Sequence, residues 1–162
     1  PPISTLFPYT TLFRSPNGVD TAFFAFDANP TKATSKCLLY SGWMGTRANQ
    51  DGIAYFAEDI WPLILEQRPD LRVKVVGGGM PVETADRLKQ VEGFEVVGEV
   101  DDVRPFCREA VVSLVPLRIG SGTRLKILEG LSQGLPVVST RLGSEGIDVR
   151  HEEHLLDRKS VV

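Results

Sequence analysis

Cysteine, histidine and any excess of charge are all scarce in this chain. Its 162 residues include two cysteines, Cys37 and Cys107, and two histidines, His151 and His154. The cysteines lie far apart with no metal-ligand spacing, so they read as buried thiols of a reducing compartment. The histidines form an i, i+3 pair with no cysteine or third histidine nearby, and no metal site is expected from them. A formal net charge of −3 supplies no basic field, so nucleic acid is not an expected partner. No apolar run approaches the length of a membrane span, and the first residues lack a basic-then-apolar signal pattern. What is present is ordinary for a globular domain: 42% hydrophobic and 24% charged residues, in a length that suits one α/β domain with a real core.

The most informative stretch runs from Val111 to Thr140, VVSLVPLRIGSGTRLKILEGLSQGLPVVST. Val111–Val115 is a short β-branched apolar run, as expected of a strand covered on both faces. Gly120 and Gly122 bracket Ser121 and supply backbone freedom for a tight turn. A helix is expected next, with Leu125, Ile127, Leu128 and Leu131 on one side and Lys126, Glu129 and Gly130 on the other. Gly134 is a stop signal, and Leu135–Ser139 begins the next strand. A glycine turn entering a helix presents unpaired N–H groups and the positive end of the dipole, which suits a phosphate. Lys126 adds a cation one turn in, and Glu129 on the same face is placed to accept hydrogen bonds from sugar hydroxyls. A nucleoside diphosphate lying along the helix is the expectation. The third glycine of the dinucleotide fingerprint is absent, and a glycine turn before a helix is common in any case.

The whole stretch is more specific than its glycines. It resembles the signature of the retaining nucleotide-sugar glycosyltransferases of GT-B fold in their large family four. The matching residues are Pro116, Gly122, Lys126, Leu128, Glu129, Gly134, Pro136 and Val137. The resemblance covers roughly residues 17–156 and implies a Rossmann-like α/β domain, a parallel sheet with helices on both faces, forming the donor-binding half of such an enzyme. It implies transfer of a hexosyl-type sugar from a nucleotide-sugar to an acceptor hydroxyl with retention, in cell-envelope polysaccharide synthesis. The donor-binding set it implies is Arg47, Gly120, Ser121, Gly122, Thr123, Lys126, Glu129 and Glu145, with Glu99 and Val100 at the base. Neither a metal nor a cofactor is expected, the nucleotide-sugar being the donor substrate.

The ends read differently. Residues 1–15, PPISTLFPYTTLFRS, show neither helical nor strand periodicity, and they resemble translated sequencing adapter. Residues 157–162, DRKSVV, resemble the same kind of scar. Pro16-Asn17-Gly18-Val19-Asp20 is a turn on its own terms; in the resembled family it closes the acceptor-side domain and opens the linker. Residues 16–35 are therefore expected to be an interdomain linker remnant, and 36–156 the donor-binding domain. The natural gene is expected to extend beyond both ends.

Within that domain, Cys37–Ser41 and Arg72–Val76 read as buried strands and Phe94–Gly98 as a third strand. A helix is expected from about Asp51, capped by Asn49 or Asp51, with Ile53, Phe56, Ile60 and Ile64 facing the sheet and a kink or restart at Pro62. Arg47 in the preceding loop is either a phosphate contact or a solvated arginine. Gly77-Gly78-Gly79 allows close approach to a ligand, or is a flexible turn. Thr84–Gln90 suits a short amphipathic helix. Asp101 and Asp102 read better as helix N-terminal acids than as a metal pair. Residues 141–146 form a loop at the sheet edge where open α/β folds bind ligands, with Glu145 either a donor contact or a surface acid.

One departure bears on chemistry. The family commonly carries two glutamates separated by seven residues, the first touching the donor sugar and the second the ribose. Glu129 matches the second, but Ser121 stands at the first, and an uncharged hydroxyl does not reproduce a carboxylate contact. No catalytic residue is assigned. Two other readings remain: a non-catalytic nucleotide-binding module, and a GT-B nucleotide-sugar epimerase. The partners implied are the nucleotide-sugar and a missing N-terminal acceptor domain, with peripheral membrane contact only through missing parts. The expected location is cytoplasmic, at the inner face of the membrane when full length.

Overall fold

The computed structural model describes residues 18–26, 35–120, 122 and 124–158. Residues 1–15, Ser121, Thr123 and part of the expected linker thus lie outside the described residues. Six parallel strands form one sheet: β1 (Cys37–Ser41), β2 (Arg72–Val76), β3 (Phe94–Gly98), β4 (Val112–Val115), β5 (Val137–Thr140) and β6 (Leu156–Arg158). Their order is β3-β2-β1-β4-β5-β6. The chain works outward from β1 to one edge, then returns and works outward to the other, so the switch point falls between β1 and β4. Doubly wound sheets open a crevice beyond the carboxyl ends of the strands at that point.

Alternation along β1 shows why the sheet is covered on both sides. Leu38 and Tyr40 enter one buried cluster with Ile53, Phe56 and Trp61, whereas Leu39 enters another with Val76, Cys107 and Ala110. Successive side chains of a strand point to opposite faces, so a strand apolar at every position must be sandwiched. A third cluster joins Val115, Leu117, Ile127, Val137 and Leu155. Both cysteines are buried free thiols, and burial pushes the Cys37 thiol up to about 11.

The first helical run has three parts: α1 (Arg47–Tyr55), a π-helical turn (Phe56–Ile60) and α2 (Trp61–Gln67). Pro62 lies in the first turn of α2, where its missing N–H costs least, so the helix restarts there as expected. The start of α1 differs from expectation. Thr46, not Asn49 or Asp51, is the N-cap, its hydroxyl accepting from the Asn49 N–H (3.3 Å). Trp61 anchors α2, donating from its indole nitrogen to the Glu92 carbonyl (2.7 Å) and meeting Phe94 edge-on at 5.6 Å.

Three shorter helices follow: α3 (Val82–Lys89), α4 (Arg104–Glu109) and α5 (Leu125–Ser132). The first starts two residues before the expected Thr84. Asp102 does serve the start of α4, accepting from the Arg104 N–H (2.9 Å) and pairing with its guanidinium (2.8 Å). On α5 the expected faces need correction. Leu125 is exposed, and Gly130 is buried against β4 and β5, where a Cβ would lie 3.5 Å from Val137. Strand β5 also begins at Val137, two residues beyond Leu135, which is itself buried in the core.

Part of the expected linker packs on this domain. Asp20 accepts from the N–H groups of Ala22 and Phe23, closing a turn. The Arg104 guanidinium stacks on the Phe23 ring at 3.7 Å, and the Ser132 hydroxyl donates to the Phe24 carbonyl (2.7 Å). Residues 18–26 therefore bridge α4 and α5.

Candidate functional site

The carboxyl ends of the central strands are drawn together by backbone contacts. Gly42, just after β1, donates its N–H to the Val76 carbonyl (3.0 Å), and Gly77, just after β2, donates to the Gly98 carbonyl (2.7 Å). Gly42 and Gly77 approach so closely that a Cβ on Gly77 would lie 1.8 Å from the Gly42 carbonyl oxygen. Gly77 of the triplet thus serves close packing of two strand ends, a role beyond the ligand approach or flexible turn expected from sequence.

Lys126 enters this junction from α5. Its Nζ sits 4.9 Å from the centre of the Tyr40 ring and donates to Asn49 Oδ1 (3.1 Å). Gly42 makes room for it, since a Cβ there would come within 2.8 Å of Nζ. Desolvation is the main influence on the ammonium, with the Arg124 charge adding to it and Glu129 opposing. Together they bring its pKa down from 10.5 to about 8. Glu129, one turn along α5, is partly buried; burial raises its carboxyl pKa, with Lys126 pulling the other way. Gly120 lies against α1 and Arg124, where a Cβ would meet Ala48 Cβ at 3.0 Å and Arg124 Nη2 at 3.1 Å. Lys126 and Gly120 therefore lie against α1 and the end of β1 beside the switch point of the sheet, with Glu129 one turn further along α5.

The other expected residues fall around this centre. Gly122 is exposed with φ of 90°, a left-handed backbone angle that favours glycine. Glu99 and Val100 directly follow β3, and the Glu99 carboxylate lies beside Gly78, at 2.7 Å from where a Cβ would stand. Arg47 is exposed at the first position of α1. Glu145 is exposed in the turn after β5, its N–H bonded to the Leu142 carbonyl (3.3 Å). Among the described residues, no group of three or more histidine, cysteine, aspartate or glutamate side chains is placed to hold a metal. His154 instead accepts from the Arg150 N–H through Nδ1 (3.0 Å). A cavity of about 230 Å³ lies at the opposite ends of the strands, between Val112, Val137 and Leu156.

Sequence reasoning missed Tyr40, Asn49 and Arg124. Tyr40 read as strand core, which it is, and Asn49 as a cap, which it is not: its N–H is the group that the Thr46 cap receives. Arg124, two residues before Lys126, was the one with a visible signal: a second cation where the turn meets the helix.

Comparison with known proteins agrees with this arrangement. Residues 35–160 match the family model described as "Glycosyl transferases group 1". An uncharacterised 44.6 kDa protein in the cps region of Klebsiella pneumoniae is 22% identical over 126 residues, covering 74% of this chain. The match spans 32% of that relative's length. The C-terminal domain of the group 1 glycosyl transferase LpcC from Francisella tularensis has the same fold, with a TM-score of 0.63 at 20% identity. That match covers 88% of this chain and 82% of LpcC's. Anabaena HepE, solved with UDP and glucose, gives a TM-score of 0.59 at 15% identity over 83% of this chain and 39% of its own. WaaG, a glycosyltransferase involved in lipopolysaccharide biosynthesis, gives 0.54 at 17% identity, over 78% and 37%. The sequence match over most of its length establishes that this chain belongs to the group 1 glycosyl transferases.

Proposed function

We propose that this domain holds the nucleoside diphosphate part of a nucleotide-sugar and serves a retaining transfer of a hexosyl-type sugar to an acceptor hydroxyl. The observation that carries this reading is the half-buried Lys126 at the strand switch point, its ammonium bonded to Asn49, beside the start of α5 and one turn from Glu129. Charge develops on the diphosphate as the sugar leaves. A fixed cation and the N–H groups of a helix start stabilise that charge without reorganising at the moment of reaction. Glu129 would receive the ribose hydroxyls, and the strand ends at Glu99 and Val100 the base. Gly120, Ser121, Gly122 and Thr123 would line the phosphates, with Arg47 and Glu145 as outer contacts. The acceptor site and any general base would come largely from a second domain. That domain is consistent with the 39% of HepE that the match covers.

By itself the 162-residue chain is expected to bind donor without turning it over, because a site shared between two domains lacks half its water exclusion here. The cps-region relative and WaaG favour a polysaccharide or lipopolysaccharide acceptor; a cytoplasmic location at the inner face of a membrane is part of the same proposal. The test is a thermal-shift screen against nucleoside diphosphates and their sugars, beginning with UDP, which HepE binds in its solved complex. A melting temperature raised by at least one nucleoside diphosphate supports the reading. An unchanged melting temperature across the whole set at millimolar ligand would overturn it.

A further inference from the structure

We infer that Asn49 is the positioning residue for Lys126, fixing the ammonium at the carboxyl edge of the sheet so that an incoming diphosphate meets a pre-placed cation. The inference rests on the proposed placement of a diphosphate at Lys126 and assigns a second residue to that site.

The geometry carries it, because every polar group of Asn49 is engaged. Its N–H donates to the Thr46 hydroxyl (3.3 Å), and its carbonyl accepts from the Tyr40 hydroxyl (2.7 Å). Its side-chain Nδ2 donates to the Trp43 carbonyl (2.7 Å), and Oδ1 accepts from Lys126 Nζ (3.1 Å). The amide orientation follows from chemistry: a backbone carbonyl only accepts and an ammonium only donates, so nitrogen must face Trp43 and oxygen must face Lys126. Two backbone bonds fix where the residue stands, and two side-chain bonds fix how it turns. The Lys126 ammonium also lies over the Tyr40 ring, and Gly42 leaves the space in which the ammonium and the amide meet. A neutral amide suits this role. It orients the cation without cancelling the charge that would attract a phosphate, whereas a carboxylate at the same point would compete with the ligand.

Asn49→Asp keeps the shape and replaces the neutral acceptor by an anion; Asn49→Ala removes the acceptor. Binding of inorganic diphosphate, which is independent of the base, is measured by calorimetric titration for wild type, both variants and Lys126→Ala, with melting temperatures alongside. The expected result is a tenfold or greater loss for Asn49→Asp and a smaller loss for Asn49→Ala. Asn49→Asp should also move the alkaline limit of binding upward in pH, because an adjacent anion holds the ammonium charged. The other charged or titratable groups acting there are Arg124 and Glu129 beside α5, Tyr40 on β1 and Asp51 on α1. None of them is altered by the substitution. A role confined to packing α1 would lower the melting temperature without moving that limit. If Lys126→Ala loses binding while both Asn49 variants bind like wild type, the positioning role is overturned. If Lys126→Ala itself binds like wild type, the diphosphate does not lie at Lys126, and both readings fall.

Discussion

At the scale of single residues, the chemistry concentrates on Lys126. A lysine whose folded pKa lies at about 8, below the 10.5 of the free side chain, has two opposite pH signatures. The unfolded chain binds more protons than the folded one between those values, so this group makes stability rise with pH from about 8 to about 10.5. Anion binding runs the other way, because only the ammonium attracts a phosphate. Diphosphate affinity is expected to stay level up to about pH 8 and then fall by roughly tenfold per pH unit. Titration at pH 7, 8 and 9 checks this, and a flat profile would mean that Lys126 carries no part of the binding. In Lys126→Ala both trends should disappear together.

At the scale of elements, two packing contacts make the sharpest claims. Trp61 is buried at the start of α2, fills space against Phe94 and satisfies the Glu92 carbonyl. Trp61→Ala is expected to cost about 3–5 kcal/mol by denaturant unfolding. Gly77 has φ of 139° and lies against the Gly42 backbone. Gly77→Ala is therefore expected to cost about 3 kcal/mol or more, since neither strand end has a flexible atom to move aside. A cost below about 1 kcal/mol in either variant would show that the strand ends or the α2 anchor repack freely.

The same elements show what could be read from sequence and what could not. Strand β1 was legible to the residue because a central parallel strand is apolar on both faces; β2 and the edge strand β3, only partly buried, were legible from their β-branched residues and the glycines at their ends. The start of α1 was not. Its first turn, Arg47 to Gln50, is polar because it faces the site instead of the core, so the apolar rhythm begins only at Ile53. Asn49 and Gln50 spend their side chains on the loop before them, bonding to the carbonyls of Trp43 and Met44. A cap three residues earlier leaves no trace in such a rhythm. On α5, Gly130 looked polar by type yet is buried, because close approach to β4 and β5 requires the smallest residue. Lys126 was legible as a cation at the start of the helix, but its depth was not, since that depth depends on Tyr40 and Asn49 from distant parts of the chain.

For the molecule as a whole, the proposed function divides the work: this doubly wound domain is expected to bind donor and leave transfer to a site completed by a second domain. Glycines after β1 and β2, Glu99 and Val100 after β3, and Lys126 at the start of α5 gather at the carboxyl ends of the strands, the edge on which that second domain is proposed to close. Steady turnover of a nucleotide-sugar onto an added acceptor by the 162-residue chain would contradict this division of labour. Residues 18–26 bear on it too, since they pack across α4 and α5 through Phe23 and Phe24. Phe23→Ala is expected to lower stability by about 1 kcal/mol, the scale of one exposed cation–π contact with its buried area, and to leave donor binding intact. A thermal melt and a titration of that variant measure the two effects separately.

The most direct test of the central claim, that a nucleoside diphosphate lies along α5, is a paired calorimetric titration. Wild type, Lys126→Ala and Glu129→Gln are each titrated with the strongest nucleoside diphosphate from the screen and with its free nucleoside. Lys126→Ala removes a charge-assisted contact of about 1.5–3 kcal/mol, so diphosphate affinity should fall roughly ten- to a hundredfold while nucleoside affinity holds. Glu129→Gln keeps the shape and drops the charge, so it should weaken both ligands alike. Wild-type affinity for both ligands in both variants would contradict the account and place the nucleotide elsewhere.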